Sequence, residues 1–131
     1  MSELYTVQPG TALARLIHDA GDDWRRFTHH RFVEELKAGT LDQAAFRYYL
    51  VQDYRFLVHF ARAWALVAVK SEDVDDIKGA ASLVHTLIDD ELKLHVETCA
   101  GWGLDHEQLK TTPEDPANAA YTRFVLERGF T

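Results

Sequence analysis

The sequence holds a single cysteine, Cys99, among 131 residues. An internal disulfide is thereby excluded, and a reducing compartment fits. Proline is nearly as scarce: Pro9, Pro113 and Pro116 lie near the two ends, which leaves residues 10–112 free of the strongest helix breaker. The longest uninterrupted apolar run covers residues 63–69, far short of the ~20 residues that a transmembrane helix needs. Basic charge is in deficit, with 14 Lys and Arg against 21 Asp and Glu and a net charge of −7. No basic stripe is present, so nucleic acid and anionic membranes are not expected as partners. The opening Met-Ser-Glu-Leu-Tyr-Thr-Val-Gln has neither a basic start nor an apolar signal core; the expected location is cytoplasmic. Strand-like alternation, internal repeats and low-complexity tracts are missing too.

What is there reads as helix. With 47% hydrophobic and 27% charged residues the composition is globular, and the length predicts one domain over residues 1–131. Pro9-Gly10-Thr11 ends a leader and caps a helix over 12–29, with a bend or break at Gly21 and Asp22-Asp23. A further turn or two over 32–38 stops at Gly39. Thr40-Leu-Asp-Gln43 has the form of a capping box and opens a long helix over 41–70. Ser71, with Glu72, Asp73, Asp75 and Asp76 suiting the helix dipole, starts the next helix, which runs to about residue 100. A short turn over 105–110 follows. Thr112-Pro113 or Asp115-Pro116 then caps a last helix to about residue 128. The expectation is an all-α bundle. From Phe56 to Val69 only His59 and Arg62 are plainly polar, and a helix apolar nearly all round belongs at the centre of a bundle. The other helices barely suffice to surround it, which predicts cover from another subunit or from further chain.

Within that long helix one charge is out of place. At about 100° per residue, Phe46, Tyr49, Leu50, Phe56, Leu57, Phe60, Trp64 and Val67 all fall on the side of Asp53. An unpaired buried carboxylate costs several kcal/mol or takes up a proton, so something polar must meet Asp53. Arg47, Arg55 and Arg62 fall on the other side of the helix. The next helix repeats the pattern, with Glu91 near the middle of an arc of Ile77, Ala80, Val84, Leu87, Ile88 and Leu94, and with His95 and Thr98 continuing that face. Two inward acids on adjacent helices suit a cationic or amide-bearing ligand, a metal, or a purely structural pairing. The metal is disfavoured. Di-iron bundles take a Glu-x-x-His motif from each of two helices, whereas Glu91-Leu-Lys-Leu-His95 is one pair at another interval. A lone His18 is a weak haem ligand, and Cys99 reads as a small core residue. Tyr49 and Phe56 share the Asp53 arc and could wall a slot for a flat ring whose polar edge Asp53 fixes.

Residues 46–64, with the core Tyr49-Leu-Val-Gln-Asp-Tyr54 and Phe60-Ala-Arg62, resemble the TenA family (thiaminase II, TENA/THI-4 proteins). Phe32-Val-Glu-Glu-Leu-Lys-Ala-Gly39, Glu91-Leu-Lys-Leu-His95 and Pro116-Ala-Asn-Ala-Ala-Tyr-Thr122 extend the match in the family's order. The resemblance implies a haem-oxygenase-like all-α fold, usually a homotetramer (a dimer being the other expectation), with no metal or cofactor. It implies hydrolysis of aminopyrimidine breakdown products of thiamin, or of thiamin itself, to hydroxymethylpyrimidine. Asp53 then matches the pyrimidine-binding aspartate and Tyr121 an active-site tyrosine, the two assigned catalytic roles; Tyr49, Phe56 and Glu91 are expected to line the substrate. Phe56 stands where many members have tyrosine. The chain ends a little beyond half the usual family length, and the family's cysteine nucleophile and C-terminal glutamate would fall past Thr131. The alternatives are a non-catalytic binding or assembly fragment and a haem-oxygenase-like metal oxidase.

Overall fold

The computed structural model describes residues 7–131; most of the N-terminal stretch scanned above for a signal core lies outside the described residues. All regular structure among the described residues is helical, and none of the helices is long and apolar enough to cross a membrane. The chain forms two compact units, Met1–Asp42 and Gln43–Thr131.

The first unit carries three short helices, α1 (Ala12–Ala20), α2 (Asp22–Thr28) and α3 (Arg31–Ala38). The Thr11 side chain accepts the Ala14 N–H at 3.2 Å and caps α1. Gly21 adopts φ 53° and separates α1 from α2, the break anticipated from the Gly-Asp-Asp sequence. Gly39 ends α3 in the left-handed region at φ 72°, where glycine has no Cβ penalty. The capping box expected at Thr40 is not how the next helix begins. The Thr40 and Leu41 amides both donate to the Glu35 carbonyl, at 2.9 and 3.2 Å, so this segment closes α3 instead.

The second unit is organised around α4 (Gln43–Lys70), 28 residues long and therefore about 42 Å from end to end. Against it pack α5 (Val74–His85), a π-helical segment (Thr86–Glu91), α6 (Leu92–Gly101), α7 (His106–Thr111) and α8 (Pro116–Phe130). Asp73, not Ser71, caps α5 by accepting the Asp75 and Asp76 amides at 2.9 and 3.1 Å. Ser71 turns back and donates to the Val67 carbonyl at 2.7 Å. Asp105 and Gln108 form a full capping box at α7. Asp115 caps α8 with Pro116 in its first turn, where a missing N–H costs nothing.

The core lies on one side of α4. Leu50, Val51 and Tyr54 pack with Cys99, Leu104 and Leu109, and Phe46, Val58, Leu92, Val96 and Trp102 lean against them. Its centre is rotated from Asp53 by roughly 80°, the offset between Asp53 and the Leu50/Tyr54/Ala61 row at 100° per residue. The aromatic arc predicted around Asp53 is thus a second face. Tyr49 and Phe60 are each 37% exposed and Val67 42% exposed. On one flank of this face stand α5 and α6; on the other stands α8.

Two outcomes check this packing. Leu109 is fully buried although it sits on a helix of only six residues. Leu109→Ala is expected to cost about 2–5 kcal/mol, read as a lower denaturation midpoint. Cys99 is equally buried, and burial followed by the nearby Asp53 charge pushes its thiol upward. Thiol reagents should therefore leave the native protein unlabelled and modify one group per chain only in denaturant.

Candidate active site

Three consecutive residues of α4 face three surroundings, as a 100° step per residue requires. Tyr54 enters the core and its hydroxyl meets His106 Nε2 at 3.2 Å. Gln52 holds the start of α8. Its Nε2 donates to the Pro113 carbonyl at 3.1 Å, its Oε1 accepts the Asp115 amide at 2.8 Å, and Asn118 Nδ2 donates to its backbone carbonyl at 3.0 Å. Asp53, between them, is partly buried and faces His95 of α6.

Asp53 is met from two directions. The Tyr49 hydroxyl, one turn earlier on α4, hydrogen-bonds its carboxylate. His95 on α6 brings Nδ1 to 3.6 Å from Asp53 Oδ2, with the two side chains 10% and 21% exposed respectively. The other imidazole nitrogen, Nε2, lies 2.7 Å from the Leu50 carbonyl oxygen. A carbonyl only accepts, so Nε2 carries a proton. Burial raises the Asp53 carboxyl above its ordinary value, and the His95 charge and the Tyr49 hydrogen bond oppose this without cancelling it. Burial and the Asp53 charge push the Tyr49 phenol up, so it stays protonated and donates.

Phe56, one turn beyond Asp53, stacks on Phe60 (ring centroids 5.3 Å apart, 20° between planes) and on Tyr121 of α8 (6.1 Å, 23°). Phe56, His59, Phe60, Tyr121, Thr122 and Val125 line a shallow cleft there. Tyr121 is 57% exposed and stands at its rim. The structure therefore places Asp53, Tyr49, Phe56 and Tyr121 along one face.

Glu91 is placed differently. It ends the π-helical segment and its side chain is exposed, as are Ile88 and Leu94 of the arc that was to surround it. The wider π turn adds a residue to one turn of the helix. Inward positions run Leu87, Leu92, His95, Val96 and Cys99, and Glu91 is rotated outward. His95 is the residue that sequence reasoning undervalued. Its inward face was legible, but the regular-helix assumption gave the acid role to Glu91.

A second polar set locks the segment before α8. His59 Nδ1 accepts from Arg62 Nη1 at 3.1 Å and its Nε2 donates to Glu114 Oε1 at 3.0 Å. Arg55 donates to the Lys110 and Thr112 carbonyls, and Tyr48 to the Asp115 carboxylate. These cations and hydroxyls are engaged away from Asp53, as their positions on the wheel required. Among the described residues no group of three or more His, Cys, Asp or Glu side chains converges as a metal site would need.

The sequence profile described as TENA/THI-4/PQQC family matches residues 18–131. The chain belongs to this family. A TenA family transcription regulator from Silicibacter sp. TM1040 superposes with a TM-score of 0.91 at 48% identity, covering 93% of this chain and 54% of that one. An uncharacterized protein of Haemophilus influenzae is 36% identical over 119 residues, 91% of this chain and 55% of that protein. An aminopyrimidine aminohydrolase of Helicobacter pylori is 29% identical over 115 residues, 88% of this chain and 53% of that enzyme. The fold of this TENA/THI-4/PQQC chain is accordingly the all-α, haem-oxygenase-like one. The chain spans about half the length of these relatives.

The Glu114 carboxyl is held below its ordinary value, first by the His59 hydrogen bond and also by the charges of Arg55 and Arg123. A depressed carboxyl stabilises the folded state above its unfolded pKa, and that stability is lost as pH falls through the folded value. Glu114→Gln is expected to flatten this acid limb of a stability–pH profile, as measured by denaturation at a series of pH values.

Proposed function

We propose that this protein is a TenA-type thiamin-salvage hydrolase, which converts aminopyrimidine breakdown products of thiamin, or thiamin itself, to hydroxymethylpyrimidine. The observation that carries the reading is the partly buried Asp53 carboxylate, flanked by Tyr49 and His95. The names of relatives support it, since three aminopyrimidine aminohydrolases match 85–88% of the chain.

An aminopyrimidine protonated on a ring nitrogen presents two N–H donors on one edge. A carboxylate accepts both in a charge-assisted bidentate pair. Phe56 and Tyr49 supply flat walls, and Tyr121 brings a hydroxyl to the rim near the carbon that exchanges its amine for water. Residues 1–131 act as one portion of the catalytic domain, and no cofactor or metal is required. A role on DNA, which the Silicibacter protein's description would suggest, is disfavoured by the net charge of −7. Val67, Val69, Val74 and Leu94 are exposed apolar side chains, which suits a homo-oligomer, dimer or tetramer. The single buried cysteine suits the cytoplasm.

Asp53→Asn separates binding from stability. Hydrogen bonds to a charged group contribute about 1.5–3 kcal/mol, so aminopyrimidine affinity should fall by roughly 10- to 150-fold, read by calorimetric titration. The sign on stability is opposite. Because the folded carboxyl titrates above its unfolded value, ionising it destabilises the fold as pH rises through that window. The asparagine variant should therefore denature at a higher temperature at neutral pH, with the gain vanishing in acid. Unchanged affinity and turnover would remove Asp53 from the site.

A further inference from the structure

His95 is the buried ionisable group at the site that the reading above leaves without a task. Its geometry restricts what it can do. Nε2 is committed as a donor to the Leu50 carbonyl at 2.7 Å, so only Nδ1 is free to change its proton. Nδ1 faces Asp53 Oδ2 at 3.6 Å. A bare Nδ1 lone pair opposite a carboxylate, with both side chains mostly shielded from water, would set two acceptors against each other. One proton on Nδ1 resolves this, as an imidazolium–carboxylate pair.

The other titratable groups around the pair do not supply that proton. Tyr49 on α4 keeps its own, for the reasons given, and the Cys99 thiol on α6 is pushed toward the neutral form. His106 of α7 is engaged with Tyr54. On the α8 side, Glu114 pairs with His59 and Asp115 accepts from Tyr48. The π-helical segment points its acids outward, with Asp89 on His85 at 2.9 Å and Glu91 exposed.

Building on the aminopyrimidine reading, we propose that His95 is a positioning residue that keeps one proton in the Asp53 pair, so that the site takes up a neutral aminopyrimidine and protonates it internally. The ring nitrogen of a neutral aminopyrimidine carries a lone pair, which a carboxylate cannot meet. On binding, the proton leaves His95 Nδ1 and reaches the ring nitrogen by way of the Asp53 carboxyl. The N–H bond at Nδ1 breaks and one at the ring nitrogen forms. His95 keeps its electron pair and becomes neutral, still donating from Nε2, and the ring becomes the two-donor cation that Asp53 accepts. No proton is drawn from solvent.

Calorimetry of the intact protein with 4-amino-2,5-dimethylpyrimidine, which has no leaving group, counts that proton. Titrations are run in two buffers of different ionisation heat, at a pH where the free ring is neutral. The wild type should bind with no net proton uptake. His95→Gln should take up about one proton, and its affinity should fall about tenfold per pH unit as pH rises, the slope of a one-proton linkage. Uptake of a full proton by the wild type, or the same count in both proteins, overturns the proposal. Nitrogen-15 spectra of the ligand-free wild type give a check that survives failure of the variant to fold. They should show Nε2–H together with an Nδ1 proton that is lost on Asp53→Asn. A neutral Nδ1–H tautomer with bare Nε2 overturns the proposal even where aminopyrimidine binds well. If the spectra show the shared proton and calorimetry shows no binding, the fault lies with the aminopyrimidine reading, and the internal protonation falls with it.

Discussion

Desolvation of the Asp53 carboxylate is the constraint to which its surroundings answer. Out of bulk water a carboxylate must be given donors or a proton. The chain provides Tyr49 from one turn earlier on the same helix and His95 from a neighbouring helix. The His95 bond to the Leu50 carbonyl does more than orient the ring. It fastens α6 to α4 at the level of the core, where Leu50 is itself buried. Core and site therefore share an anchor, and the imidazole cannot swing away from Asp53 without giving up a buried hydrogen bond.

The two flanks of α4 are held by different physics. Toward α5 and α6 the contact is apolar apart from His95, with Leu50 and Ala61 buried. Toward α8 much of it is polar and directional. Gln52 reads the backbone of the Pro113–Asp115 turn, Arg55 reads the carbonyls of Lys110 and Thr112, and His59 holds Glu114. Apolar packing tolerates small slides, whereas paired donors and acceptors fix register. The stacked Phe56–Tyr121 pair is thereby set at a defined height along the groove.

Much of this was legible in the sequence wherever a residue's local chemistry decides its conformation. Gly21 and Gly39 break or end helices because their positive φ is cheap only for glycine. Asp115-Pro116 starts α8 because it supplies a cap and a preset φ. The errors arose where two residues could do the same job. Thr40 and Ser71 are sound caps by composition, yet both turned back to the preceding helix, and α5 took its cap from Asp73. Asp53 was recognisable as an intruder in an apolar arc, but the arc proved to be a partly exposed second face and not the centre of the core. Periodicity shows that a face is apolar; it does not say which neighbour covers it. Glu91 was misplaced for a related reason, since a constant 100° step cannot register a wider turn.

That wider turn makes the site depend on phase as well as on residue identity. The segment from Thr86 to Glu91 behaves as a gearing between two rigid helices: α5 sets where the rod lies, and the extra residue sets how far the rod is turned. A single-residue deletion at one of its exposed positions would leave His95 in the chain, yet present a different residue to Asp53. Mutational tolerance here should therefore follow an unusual rule, permissive to substitution at the exposed positions and intolerant of any change in length.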